Sequence, residues 1–148
     1  MNDIHTVSAW FSDQNFQAEQ PLSLNPQGDY SLIVAARQAR ADVLAYLLEQ
    51  GADLNVVDQY GNNALWAACF AESVDCINLL LQAGVNIDFQ NPSGATVLIY
   101  SASSAKDQIV AHLLQAGANP RLTTQDDFSA LDLAANRACL LLLRKPKV

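Results

Sequence analysis

From Gly61 to Ser93 the chain has no lysine and no arginine, only the acids Glu72, Asp75 and Asp88. Basic residues are scarce throughout: 8 Lys and Arg against 15 Asp and Glu leave a formal charge of −7. A field of that sign opposes binding to nucleic acid or to an anionic membrane surface, both of which attract cations. The shortage is uneven. Residues 1–27, 28–60 and 61–93 are each net acidic, 94–126 is balanced, and 127–148 is net basic through Arg137, Arg144, Lys145 and Lys147. A protein meeting the middle of the chain is therefore expected to be basic or neutral.

Cysteine and histidine are sparse too. Cys69, Cys76 and Cys139 are an odd number without metal-ligand spacing, which argues against both a disulfide framework and a zinc site. His5 and His112 are far apart, and catalysis needs convergent titratable groups. Glycine-rich phosphate loops and paired carboxylates are missing, and Asp126-Asp127 reads as a solvated turn. The expectation is a protein that is not an enzyme and uses no cofactor or metal. The longest leucine run, Leu140 to Leu143, is far below membrane-spanning length, and the first thirty residues lack a basic start followed by an apolar stretch. A soluble, reduced, cytoplasmic monomer is expected. With 51% apolar and 16% charged residues in 148, the composition suits one globular domain.

What the sequence does have is a period. Gly28, Gly61 and Gly94 are separated by equal steps of 33 residues, and the next step reaches Asp127. Four residues after each stands a leucine: Leu32, Leu65, Leu98 and Leu131. The small pairs Ala35-Ala36, Ala68-Cys69, Ser101-Ala102 and Ala134-Ala135 follow, then Val43-Leu44, Cys76-Ile77 and Ile109-Val110, then Leu47-Leu48, Leu80-Leu81 and Leu113-Leu114. A second glycine series, Gly51, Gly84 and Gly117, keeps the same step.

Each unit is predicted to be a turn, a short alanine-rich helix such as 64–70, a second helix such as 73–83, and an extended finger. Ala favours helix and lets neighbours approach closely. Cys76, Ile77, Leu80 and Leu81 share one helix face, Gly84 suits a left-handed cap, and Val85 to Asp88 alternates before the Asn91-Pro92-Ser93-Gly94 turn. One unit cannot bury its apolar stripe alone, so stacking is required.

On these residues the sequence resembles the ankyrin-repeat family. Gln50-Gly51-Ala52-Asp53-Leu54-Asn55, Ala83-Gly84-Val85-Asn86-Ile87-Asp88 and Ala116-Gly117-Ala118-Asn119-Pro120 are similar to the family's closing Gly-Ala-Asp-hydrophobic-Asn motif. The resemblance covers about residues 28–143. It implies an all-α ankyrin-repeat solenoid of paired antiparallel helices with finger loops: repeats at 28–60, 61–93 and 94–126, an N-terminal capping segment at 1–27 and a shortened C-terminal cap at 127–148. In the cap, Pro146 is expected to stop the last helix. In 1–27, Val7, Trp10 and Phe11 place a capping helix within 3–17, and Phe16 with Pro21 to Pro26 completes the cover. The family's Thr-Pro-Leu-His is replaced by Tyr30-Ser-Leu-Ile, Asn63-Ala-Leu-Trp, Thr96-Val-Leu-Ile and Ser129-Ala-Leu-Asp132, so less regular or less stable units are expected.

The resemblance also implies a function: binding of another protein on a concave surface of finger tips and first-helix edges. The positions that map there include Arg37 in the first unit, Gln59, Tyr60, Asn62 and Phe70 in the second, and Ser93, Ser103 and Ser104 in the third. Gln125, Asp126, Phe128 and Arg137 belong to the fourth. Tyr60, Phe70 and Phe128 occupy positions that stacking does not require to be apolar; they either contact a partner or pack on neighbouring fingers. Trp66 and Tyr100 read as packing residues, as do the three cysteines. Two other functions stay open: an immunity-type inhibitor of a basic enzyme or toxin, and a cysteine-based redox or small-molecule binding protein.

Overall fold

The computed structural model describes residues 4–16, 22 and 24–144, the first three of them through their backbone alone. Pro21 and Ser23 of the amino-terminal cover and the expected stop at Pro146 lie outside these residues. Two compact units are present, Met1–Val85 and Asn86–Val148, and the described residues of both form helices without strands.

The first unit holds α1 (Ile4–Asp13), α2 (Ser31–Arg37), α3 (Ala41–Glu49), α4 (Ala64–Phe70) and α5 (Val74–Gln82). Helix α2 pairs with α3 and α4 with α5; the short helices α2 and α4 then stack, as do α3 and α5. The recurring residues fill the seams. Leu32, Ala35, Ala36, Leu44, Leu47, Leu65, Ala68, Cys69, Cys76, Ile77 and Leu80 are all buried. Alanines at α2 and α4 allow close backbone approach, and each buried leucine contributes about 1.5–3 kcal/mol. The amphipathic α1 lies against α3. Its Trp10 stacks on Phe16 at 5.6 Å between ring centroids, and Phe11 meets Tyr46 edge-on at 6.0 Å. The indole N–H of Trp10 donates to Gln38 Oε1 at 2.7 Å.

The second unit holds α6 (Val97–Ser103), α7 (Asp107–Gln115), α8 (Ala130–Leu133) and α9 (Arg137–Arg144). Again the short helices α6 and α8 stack, the longer α7 and α9 stack, and Leu98, Ala102, Val110, Leu113, Ala130 and Cys139 are buried between them.

The turns repeat as faithfully as the helices. Oδ1 of Asn25, Asp58 and Asn91 accepts from two backbone N–H groups, two and four residues on, at 2.9–3.1 Å. Thr124 Oγ1 does the same for Asp126 and Phe128 at 3.3 and 3.2 Å. Such side-chain turns close the loop locally, and the fourth residue must adopt positive φ. Gly28, Gly61 and Gly94 do so at little steric cost, whereas Asp127 does so at φ 67 with a side chain. After the longer helices, Gly51, Gly84 and Gly117 form left-handed caps; the Gly51 N–H bonds Leu48 O and the Ala52 N–H bonds Leu47 O.

A third cap of this kind was not legible in the sequence. Between the paired helices, Ala39, Glu72 and Ala105 sit at φ 58, 55 and 59 and make the same two bonds with no glycine present. The residues that stand in place of Thr-Pro-Leu-His cap three of the four short helices. Asn63, Thr96 and Ser129 accept from backbone N–H groups at the starts of α4, α6 and α8, and Asp132 reciprocates to Ser129. Tyr30 makes no such side-chain cap.

Candidate functional site

In the first unit the finger before α4 is tied at its base and bare at its tip. Asp58 organises the base: besides its turn bonds, its Oδ2 lies 3.9 Å from Arg37 at the end of α2. Gln59 and Tyr60 project from the tip, with Tyr60 70% exposed, while Asn62 is half-buried and its N–H bonds Asp58 Oδ1 at 3.0 Å. Phe70, the last residue of α4, is 61% exposed. A ring left in water forgoes the burial that stabilises Trp66 four residues earlier, so packing within the fold does not explain Tyr60 or Phe70. Exposed Val57 and Val74 flank them in sequence, with exposed Glu72 and Asp75 close by. The two valines escaped the sequence reading because a lone exposed apolar residue has no periodic signature.

In the second unit Phe128 is 46% exposed beside exposed Gln125 and Asp126. Gln125 is already engaged: its backbone N–H donates to Ser93 O at 2.9 Å and its side-chain amide to Pro92 O at 2.6 Å. Gln90 similarly reaches Gly94 O and Thr123 O, and Asp88 Oδ1 accepts from the Asn119 N–H. These residues knit one finger to the next. The Ser93 hydroxyl donates to Asn91 Oδ1 and the Ser103 hydroxyl to Tyr100 O; Ser103 and Ser104 are exposed at the end of α6.

Arg137 is exposed at the first turn of α9, where its charge opposes the helix dipole, so helix stability does not account for it. Asn136, in register with Phe70, instead caps α9 by accepting the Cys139 N–H at 2.9 Å.

The chemistry of the remaining candidates is muted. Cys69, Cys76 and Cys139 are buried thiols, and burial pushes the acidities of Cys76 and Cys139 to higher pKa, away from the reactive thiolate. His112 is half-buried on α7. Among the described residues no group of three or more His, Cys, Asp or Glu is placed to hold a metal, and no helix is long and apolar enough to cross a membrane.

A family profile of ankyrin repeats, in three copies, matches residues 2–91 and again residues 66–148. The chain belongs to the ankyrin-repeat family. It is 35% identical over 122 residues to Neurogenic locus notch homolog protein 2 of Homo sapiens, covering 79% of this chain and 5% of that protein. It is 36% identical over 103 residues to Neurogenic locus Notch protein of Drosophila melanogaster, covering 69% and 4% respectively. Ankyrin repeat and SOCS box protein 3 of Homo sapiens is 33% identical over 101 residues, which is 66% of this chain and 20% of that protein. The chain thus spans a small fraction of the length of these relatives, and the likeness concerns the repeats. Ankyrin repeats are protein–protein interaction modules, and the family is typically non-enzymatic.

Proposed function

We propose that this chain is an adaptor or stoichiometric regulator that holds a protein partner on its finger tips and inner-helix ends, in the cytoplasm and as a monomer. The observation that carries the reading is the pair Tyr60 and Phe70, two aromatic side chains left mostly in water on a finger and an inner-helix end of one unit. Aromatic residues of this kind dominate interface energetics, because they bury a large area for little lost rotamer freedom. Arg37, Gln59 and Asn62 are the polar members of the same set in the first unit. Ser93, Ser103, Ser104, Gln125, Asp126, Phe128 and Arg137 form the corresponding set in the second unit. Glu72 and Asp75, with no Lys or Arg between Gly61 and Ser93, favour a basic or neutral partner. Three thiols and no disulfide suit a reducing compartment.

The test is affinity capture with the full chain beside the Tyr60→Ala/Phe70→Ala double variant, followed by titration of the purified partner. A weakening of roughly 30-fold or more is expected, the effect of losing a hot spot. The association rate should also fall as salt rises. Equal binding by both proteins would sink the proposal.

A further inference from the structure

In the second unit a half-open groove of about 1000 Å³ lies between α7, the loop that follows it and the far end of α9. Leu114, Leu131, Leu142 and Leu143 form its apolar wall, and Arg121 and Arg144 flank it. Helix α8 has 4 residues where α2, α4 and α6 have 7. The fourth unit also departs from the others at the recurring leucine. Leu32, Leu65 and Leu98 are 2%, 0% and 1% exposed, but Leu131, in the same register, is 38% exposed and lines the groove. A residue that is core in three repeats faces solvent in the fourth.

We propose that this groove is a docking site for an acidic, amphipathic peptide segment of another protein. Its apolar side chains seat on the four leucines and its carboxylates pair with the two arginines. Charge complementarity selects the occupant. Among the described residues neither guanidinium has an ion-pair partner, no Asp or Glu lines the groove, and residues 127–148 are the net basic part of an otherwise acidic chain. Arg can grip a carboxylate through two parallel hydrogen bonds. The open side favours a peptide over a lipid. An amphipathic helix buries one face and keeps the other in water, whereas a hydrocarbon chain would stay half wet. This site shares no residue with the finger surface proposed above and has the opposite charge preference.

The experiment uses a short labelled peptide with leucines at i, i+3 and i+4 spacing flanked by glutamates, titrated into the full chain by fluorescence polarisation. A twin peptide carrying lysines for the glutamates is titrated alongside. Saturable binding of the acidic peptide is expected, weakening with salt and at least about tenfold tighter than its twin. Arg121→Gln/Arg144→Gln and, separately, Leu131→Asp should each weaken it about tenfold, while Tyr60→Ala/Phe70→Ala leaves it unchanged. Leu131→Gln replaces Leu131→Asp if the latter loses its helical circular dichroism. The proposal is overturned by an absence of saturable binding, by equal binding of the twin, or by loss of binding in the Tyr60/Phe70 variant. Saturable binding of decanoate in place of the peptide overturns it as well, as does a concentration-dependent dimer that Leu131→Asp abolishes.

Discussion

Ser101 occupies the first place of the small pair that the other repeats fill with Ala35, Ala68 and Ala134. It is fully buried, and among the described residues its hydroxyl has no hydrogen-bond partner. An unsatisfied buried hydroxyl carries its desolvation cost without return. Ser101→Ala should therefore raise stability by about 1 kcal/mol in chemical denaturation; a loss would mean that the hydroxyl is bonded in solution. Ala105 poses the matching backbone question. Its φ of 59 costs an alanine about 1–2 kcal/mol, and glycine's extra unfolded-state freedom returns only part of this. Ala105→Gly is expected to stabilise by about 0.5–1 kcal/mol, and an unchanged denaturation midpoint would contradict it. Nothing in the letters Ala39, Glu72 and Ala105 announces positive φ. The helix-pair geometry forces it there.

At the scale of the element, the side-chain turn before each first helix is the best-determined feature, because Asn, Asp or Thr followed three residues on by Gly or Asp closes the loop on its own. Gly28 and Gly94 share that place and nearly the same φ, 81 and 86. They differ in surroundings. Among the described residues a Cβ at Gly28 meets nothing within 4 Å, whereas at Gly94 it comes within 2.9 Å of the Gln125 backbone nitrogen and 3.1 Å of the Thr124 carbonyl carbon. Gly28→Ala should cost about 1–2 kcal/mol for its dihedral alone. Gly94→Ala should cost clearly more, because two fingers must part. Equal losses in urea titrations would rule out the close approach as the cause. Gln125 illustrates the same limit of sequence reading. Its register places it at the surface, where it is exposed, but its bonds to Pro92 O and Ser93 O have no signature in the sequence.

For the molecule as a whole, the three cysteines decide between a scaffold and a redox protein. All three are buried, and burial raises the pKa of Cys76 and Cys139. The native chain should leave all 3 thiols unmodified by a disulfide reagent at mildly alkaline pH over minutes, and release them in denaturant. Rapid modification of the native protein would reopen the redox reading.

The 33-residue step, read from Gly28, Leu32, the small pairs and the leucine pairs, together with the ankyrin resemblance it carries, was enough to determine the all-α repeat architecture and most of its core. Periodicity encodes which residues face inward, and packing merely enacts it. Three things were decided by tertiary structure alone: the left-handed Ala39, Glu72 and Ala105, the engagement of Gln125 against the emergence of Tyr60 and Phe70, and the exposure of Leu131. Each depends on how packed elements meet, within one helix pair for the first and around the exposed or bonded side chain for the others. A one-dimensional pattern specifies a residue's own face, while its exposure is set by how far the next helix reaches across it.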